Sequence, residues 1–339
     1  MNYVSVEHYV LVTNGYFNKY IFIVLLFLFF CMVISINEIN SKIASYFLLT
    51  FFIILSLFFS LNGPDKGSYA TFYSYLQSYS DIFITRNTID SPFYYILMVS
   101  LKSIGANAEA FFIFQNILIS ISLFLLSLRI KNGIYVVFWL WFTHLLIPFS
   151  VRGHLLLVLL PLLYYYNNRI GKGLVSLASL TLHPLIAVFP LAYYYRNKIS
   201  LIKTTILISC VIFIFFDYFF GKFSSYISDG KSYYNDTGAF YTSSVFEFIE
   251  FAIFYNALKT ASIKLSFITK LFLVLPILVS LFSILVPTLG RFVFAFDLMY
   301  VLVLLNYNLK ISKSMWLLLC LMAFVRFAKN YIMQEYYII

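Results

Sequence analysis

The chain has 339 residues, 62% of them hydrophobic and only 11% charged, with a mean hydropathy of +0.91. Soluble domains carry roughly a quarter charged residues, so the composition excludes a water-faced globular protein and points to an all-α polytopic membrane protein. The formal net charge of +10 does not imply a nucleic-acid partner, because the basic residues sit mostly in short loops between apolar runs and form no binding stripe.

A membrane-spanning helix needs about 20 apolar residues. The first 18 residues lack the basic start and apolar core of a cleaved leader. Candidate spans follow at Tyr20–Asn37 and Ile43–Pro64. The polar stretch 62–91 is then an expected first outer loop, holding Asp65, Tyr69, Tyr73, Tyr75 and Asp90. Ser91–Leu101 is apolar but too short to span, with Pro92 at its start and Lys102 just beyond its end; it is predicted to enter the membrane and return. Asp90 suits an N-cap of that short helix, and equally a surface carboxylate able to take a proton from a hydroxyl.

Two spans come next, Ala110–Leu128 and Asn132–Val151, and Arg152 separates the second from the apolar run Gly153–Asn168. Gly173–Tyr195 is long enough to span, yet it holds His183-Pro184 in its middle, Pro190 later, and basic residues on both flanks. It is predicted as a broken helix that returns to its own side, with His183 as a hydrogen-bonded, site-supporting residue beside the carbonyl that Pro184 frees. Thr204–Gly221 carries only Asp217, and the polar stretch 222–245 is an expected second outer loop. The remaining candidates are Phe246–Leu258, Leu271–Gly290, Phe292–Leu309 with Asp297 inside it, and Ser314–Val325. The sum is about ten transmembrane helices plus short re-entrant or broken ones, in one integral domain, 1–339. Cys31, Cys210 and Cys320 lie far apart in apolar runs and read as small hydrophobes, not as a disulfide framework or metal ligands.

Sidedness follows from the basic residues. With both interrupted segments returning to their own side, the inner loops collect Lys42, Arg129, Lys131, Arg169, Lys172, Arg196, Lys198, Lys203, Lys259, Lys264, Lys270, Lys310 and Lys313 against the single acid Glu38. Spanning by only one of the two would flip everything after it and destroy this asymmetry. The loops 62–91 and 222–245 then both face outward. Their tyrosines and short polar side chains can stack on and hydrogen-bond sugars, though solvated loops with interfacial tyrosine anchors have the same composition.

The outward arginines carry the chemistry. Arg152 starts an apolar run on the side where positive charge is disfavoured, and a guanidinium fork matches phosphate oxygens; snorkelling to lipid headgroups is the plainer alternative. Arg291 follows Pro287 and Gly290 at an expected outer helix start, where the same two readings apply. His144 and His154 are candidate bases or polar contacts, and Asp297 suits a structural partner for an arginine. Metal-ligand pairs, a phosphate-binding glycine loop and a nucleophile elbow are absent from the sequence, so no metal and no cofactor is expected.

The order of these pieces resembles the EpsG family of Wzy-type polysaccharide and O-antigen polymerases. An early outer loop has an acid and spaced tyrosines, Asp65, Tyr69 and Tyr73. An acid then opens a short helix, Asp90-Ser-Pro-Phe-Tyr-Tyr. Arg152 starts an apolar helix that ends in a basic turn at Lys172, a helix with the central His183-Pro-Leu-Ile follows, and Arg291-Phe-Val-Phe-Ala-Phe comes late. Two positions depart from the pattern: Gly153-His154 stands where the family tends to have Gln and Ala, and Asp90 where it usually has Glu.

The resemblance implies a fold similar to GT-C-type membrane glycosyltransferases. It implies a reaction on the periplasmic face of a bacterial inner membrane, in which a growing glycan passes from undecaprenyl pyrophosphate to the non-reducing end of a new lipid-linked repeat. Arg152 and Arg291 would then hold the pyrophosphate, Asp90 or His154 would serve as base, and Asp65, Tyr69 and Tyr73 would shape the sugar site. The implied partners are the undecaprenyl-pyrophosphate-linked oligosaccharide, membrane lipids and a chain-length regulator protein. The rivals are a flippase or other transporter of the same lipid-linked repeat and an O-antigen ligase. Transporters usually show internal repeats and short loops, which this chain lacks; a ligase needs the same arginine chemistry and differs in its acceptor.

Overall fold

The computed structural model describes residues 19–39, 41–59, 64–83, 91–145, 151–195, 239–265, 267–283, 293–307 and 309–333. These are helices and their connecting turns, and there is no strand among the described residues. They group into two compact units, Met1–Val158 with Trp316–Ile339, and Leu159–Met315.

In the first unit α1 (Lys19–Ile39) pairs with α2 (Ser41–Phe59), and α2 lies along α5 (Ala108–Arg129). Val24, Leu28, Phe47, Leu125 and Leu128 are large apolar residues on the open faces of these helices. The inner faces interlock through rings: Phe29 stacks on Phe51 at 3.6 Å, and Phe30 meets Phe138 edge-on at 4.8 Å. Such pairs add about 0.5–1.5 kcal/mol each beyond the area they bury. By length and composition α5 is the one described helix that is long and apolar enough to cross a membrane; further apolar helical stretches run to 10–17 residues.

Within the first long polar stretch Pro64–Tyr75 is helical (α3) and Tyr79–Phe83 forms a 3₁₀ turn, while residues 62–63 and 84–90 lie outside the described residues. The short apolar segment forms α4 (Pro92–Ser103). Its 12 residues reach about 18 Å, well short of a hydrocarbon core of roughly 30 Å. Gly105, at φ +87, reverses the chain, and Asn107 caps α5 by accepting from the Ala110 N–H at 2.8 Å. Tyr94 in the first turn of α4 consequently meets Phe111 at 5.4 Å and donates to Gln115 Oε1 at 3.2 Å. α4 and α5 are therefore a hairpin.

Lys102, an odd residue at the end of an apolar segment, now has a reason. Its Nζ donates to the carbonyls of Tyr73, Ser74 and Leu76 at 2.8, 3.0 and 2.7 Å, at and just beyond the C-terminal end of α3, where carbonyls lack helical partners. Asp81 accepts the N–H groups of Gln77 and Ser78 at 2.7 and 2.8 Å, and these bonds hold its carboxyl below the usual carboxylate range.

α6 (Gly133–Leu140) is wholly buried and continues into a π-helical turn, Trp141–Leu145. Asn132 takes the left-handed conformation at φ 59, and any Cβ on Gly133 would lie 2.5 Å from the Ser127 carbonyl oxygen, so glycine is required at this close approach. The helix α14 (Lys313–Met333) runs longer than the expected Ser314–Val325. Phe142 of the π turn packs on its Phe324 and Phe327, and Cys320 donates its thiol to the Tyr135 carbonyl at 3.2 Å. Arg152 lies on the one-turn helix α7 (Val151–His154).

The chain enters the second unit within α8 (Leu156–Tyr165). Pro161 has no N–H to give the Leu157 carbonyl, and that buried oxygen accepts the Ser122 hydroxyl of the first unit's own α5 at 2.7 Å instead. α9 (Arg169–Leu182) and α10 (Pro184–Tyr195) are separated by a break at His183, with φ −156 and ψ 86. The Ser176 and Tyr195 hydroxyls, 19 residues apart, sit 2.9 Å from each other, where a continuous helix would hold them about 28 Å apart. The expected broken helix is thus a hairpin whose two ends emerge on one side. Helix α11 (Ala239–Thr260) packs on α12 (Phe267–Ser283), and α13 (Val293–Tyr307) lies along α10. α11 begins inside the second polar stretch, so 239–245 is helical; residues 222–238 and the expected span Thr204–Gly221 lie outside the described residues.

Candidate functional site

Arg152 is the centre of the first unit's polar cluster, and the cluster is assembled by the α4 hairpin. Ser91 stands at the N-cap of α4, followed by Pro92 at the first helical position. A serine there usually accepts a backbone N–H of its own helix. Ser91 makes no such cap; its Oγ accepts from Arg152 Nη1 at 2.6 Å. Ser91 is 1% exposed and Arg152 is half-buried, so the contact lies at the edge of the packed interior.

The guanidinium also lies over an aromatic face, with its carbon 5.4 Å from the centroid of the Tyr69 ring. A cation on a tyrosine face gains about 0.5–2 kcal/mol, more as water is removed. The Tyr69 ring is steadied in turn by Tyr94, edge-on at 5.3 Å, whose hydroxyl reaches Gln115 on α5. A planar fork held at one nitrogen by a hydroxyl and on one face by a ring is fixed in orientation. Guanidinium forks in general match phosphate and carboxylate oxygens through paired N–H bonds.

The structure thus brings Arg152 and Tyr69 together and adds Ser91, Tyr94 and Gln115. His154 lies two residues on in the same one-turn helix and is 5% exposed, inside the packing. Tyr73, expected to shape a sugar site, is placed otherwise. It is 4% exposed, donates its hydroxyl to the Ala106 carbonyl at 2.7 Å and braces α3 against the α4–α5 turn; burial raises its phenol above the ordinary value, so it stays a neutral donor. His183 forms the hairpin break of the second unit and accepts the Ala187 N–H at its carbonyl. Asp90 and Arg291 lie outside the described residues, as does the side chain of Asp65, whose backbone sits in the first turn of α3.

The second unit holds a cluster of opposite sign. Glu247 and Glu250 of α11 and Asp297 of α13 are each 0% exposed, with carboxylate oxygens within 4.8 Å of one another. Three carboxylates at that spacing cannot all stay charged in a dry interior unless a cation or shared protons stand among them. They are the described residues whose donor set and spacing could hold a metal ion. Tyr300, one turn on from Asp297, lies within electrostatic reach of all three and stacks flat on Phe254 at 4.4 Å.

In the first unit the π turn sets His144 within electrostatic reach of Arg326, which sits between Phe324 and Phe327 on α14. π turns recur at functional positions because the extra residue redirects one side chain.

Sequence reasoning missed Ser91, whose role needs the hairpin to be folded. It also passed over Glu247 and Glu250, for which a signal was present: acids three apart fall on one helix face, here in the apolar run VFEFIEFAIF. Comparison with known proteins supplies no neighbour: no family model, no curated protein and no solved structure matches this chain.

Proposed function

We propose that the chain is a multi-pass bacterial inner-membrane glycosyltransferase, a polymerase that joins lipid-linked glycan repeats on the periplasmic face. The observation that carries this reading is Arg152, oriented by the Ser91 hydroxyl at 2.6 Å and the Tyr69 ring at 5.4 Å. The membrane part of the reading is supported by the composition, by the apolar open faces of α1, α2 and α5 and by the α9–α10 hairpin, which folds Tyr195 back beside Ser176.

In the proposed reaction a hydroxyl at the non-reducing end of the incoming repeat attacks the anomeric carbon of the growing glycan. The bond from that carbon to the pyrophosphate oxygen breaks, and its electron pair leaves with undecaprenyl pyrophosphate. The hydroxyl proton passes to Asp90, or to His154 as second choice. Pyrophosphate is a good leaving group, so the main requirement is cationic stabilisation of the charge it gains, which is the role of Arg152. Arg291 keeps the same role on the resemblance alone. Tyr69 contributes an aromatic face that steadies the guanidinium.

A second reading is favoured by the Glu247–Glu250–Asp297 cluster, since buried acids in membrane helices mark proton or cation pathways. On that reading the chain is a cation-coupled transporter of the lipid-linked repeat. Glycan display in a gene-deletion strain, complemented with wild type, Arg152→Ala or Arg291→Ala at matched membrane levels, separates the readings. The polymerase reading expects single-repeat glycan in the deletion strain and long chains restored by wild type only. Loss of even the single repeat would place the missing step in flipping or in ligation.

A further inference from the structure

Helix α9 of the second unit is inverted relative to a helix on a water-faced surface. Its buried face carries Val175, Ser179 and Leu182, and Ser176 beside them meets Tyr195. The opposite face carries Ile170, Leu174 and Leu177 on successive turns, at 76%, 62% and 59% exposure. A surface helix of a soluble protein turns such residues inward. The hydroxyls of Ser176, Ser179 and Thr181 donate to their own helix, to the carbonyls of Lys172, Val175 and Leu177, each at 2.8 Å. The helix thus offers its surroundings an apolar face and leaves its hydroxyls no need of water.

One end of this face is charged. Arg169 is exposed and Lys172 half-buried, and residues three apart on a helix have Cβ atoms about 5–6 Å from each other. No acid stands in that first turn, and the chain has none between Glu109 and Asp217. Among the described residues no ion pair engages either cation. The two like charges also stand at the positive end of the helix dipole, an unfavourable arrangement that an anion relieves.

Tyrosines mark the same level. The Tyr166 ring lies over Gly171, where a Cβ would come within 2.9 Å of it. Tyr194 meets Tyr164 edge-on at 5.3 Å and Tyr195 at 4.9 Å, and Tyr195 reaches Ser176, one turn on from Lys172. Tyrosines and basic residues gather where a helix passes from hydrocarbon to lipid headgroups.

We propose that the open end of the α9–α10 hairpin binds an anionic phospholipid. Arg169 and Lys172 hold its phosphate, and the face formed by Ile170, Leu174 and Leu177 lies along its acyl chains. A free phosphate would use the cations without the apolar face, and a neutral lipid the face without the cations. An anionic amphiphile uses both. The proposal rests on the membrane part of the proposed function and is independent of the reaction catalysed.

Retention of the full-length protein in carbonate-washed membranes tests the membrane reading first. Lipid binding is then read by native mass spectrometry from detergent, with phosphatidylglycerol and phosphatidylcholine of equal chain length as probes. The proteins compared are wild type, Arg169→Gln with Lys172→Gln, and Arg169→Lys with Lys172→Arg. Wild type should favour phosphatidylglycerol by about thirtyfold, the scale of two basic side chains at an anionic surface. The glutamine pair should lose that preference and still bind phosphatidylcholine, and the exchanged pair should keep it.

Equal binding of the two lipids by wild type overturns the proposal, as does a preference that survives the glutamine pair. Full competition by inorganic phosphate at the concentration of the lipid overturns the lipid as occupant. Release of the protein by carbonate instead sinks the membrane reading, and the lipid site with it. A photo-crosslinking phosphatidylglycerol on wild type needs no variant to fold, and it should label residues 165–182. Labelling confined to other segments overturns the proposal.

Discussion

The two compact units treat buried charge in opposite ways. In the first, the half-buried guanidinium of Arg152 is met by a hydroxyl and a ring, neutral groups that orient it. In the second, Glu247, Glu250 and Asp297 crowd three acidic groups into 4.8 Å at zero exposure. An oriented cation at the edge of the packing is suited to meet an anionic ligand that comes and goes. A set of fully enclosed acids is suited to hold protons or a small cation, since nothing larger fits between atoms at that spacing. The difference is one of sign and setting: an oriented cation at the edge of the packing in the first unit, and enclosed acids in the second.

The largest effect should come from changing the shape of the Arg152 charge while keeping its sign. Arg152→Lys retains the positive charge but loses the planar fork and its stacking on Tyr69. Chain extension in membranes from the complemented strain should fall about a hundredfold or more, the scale seen when an oriented transition-state donor is lost. The joint replacement Glu247→Gln, Glu250→Gln and Asp297→Asn should by comparison leave the glycan ladder close to wild type. If the acid variants abolish glycan display and Arg152→Lys does not, the comparison is reversed and cation-coupled transport becomes the better reading.

A smaller effect should come from Lys102, which ties α3 to the hairpin through three carbonyls. Lys102→Met keeps the apolar stem and loses the charged hydrogen bonds, which are worth about 1.5–3 kcal/mol. Limited proteolysis should then cut α3 faster, and chain extension should fall through a loosened Tyr69. An unchanged digestion pattern would show that α3 is held by its packing alone.

The smallest effect should be on pH response at the 3₁₀ turn Tyr79–Phe83. The carboxyl of Asp81 is held below its ordinary range by the Gln77 and Ser78 N–H groups, so its folded-state value lies under its unfolded one. The order it supplies is therefore present above the ordinary carboxylate range and lost as pH falls through the depressed folded value. Hydrogen exchange at the Gln77 and Ser78 amides should accelerate at acid pH, and Asp81→Asn should flatten that response. Because Asp81 is only partly buried, the global thermal midpoint should move little.

How much of this was legible beforehand depended on the range of the interaction. Apolar length and loop charge marked nearly all the helices now described, because burial of a helix face in an apolar setting needs only local composition. The two interrupted segments were also readable: Pro92 with a short apolar run, and His183-Pro184 within a long one, are local conflicts with a continuous span. Helix limits were less so, as with α14, where Arg326 hid the continuation of a helix to Met333.

The site divides along the same line. Arg152 stood out because a cation beginning an apolar run on the side expected to face outward violates the sign bias of the sequence, and Tyr69 because it lies among spaced tyrosines. Tyr73 looked identical to Tyr69 in sequence, but the α3 helix turns one ring toward Arg152 and the other toward Phe111 and the Ala106 carbonyl. Lys102 looked like a stray charge until α3 ended beside it.

By itself the sequence determined an all-helical, strongly apolar chain, the positions of its breaks and the residues whose charge demands a reason. Only the tertiary structure decided which of those residues meet. Ser91 and Arg152 are 61 positions apart, and Glu247 and Asp297 lie on different helices, α11 and α13. Composition and periodicity act over a turn or two of helix. Whether a hydroxyl caps its own helix or orients a distant arginine depends on how the hairpins return, and that is set by packing across the whole fold.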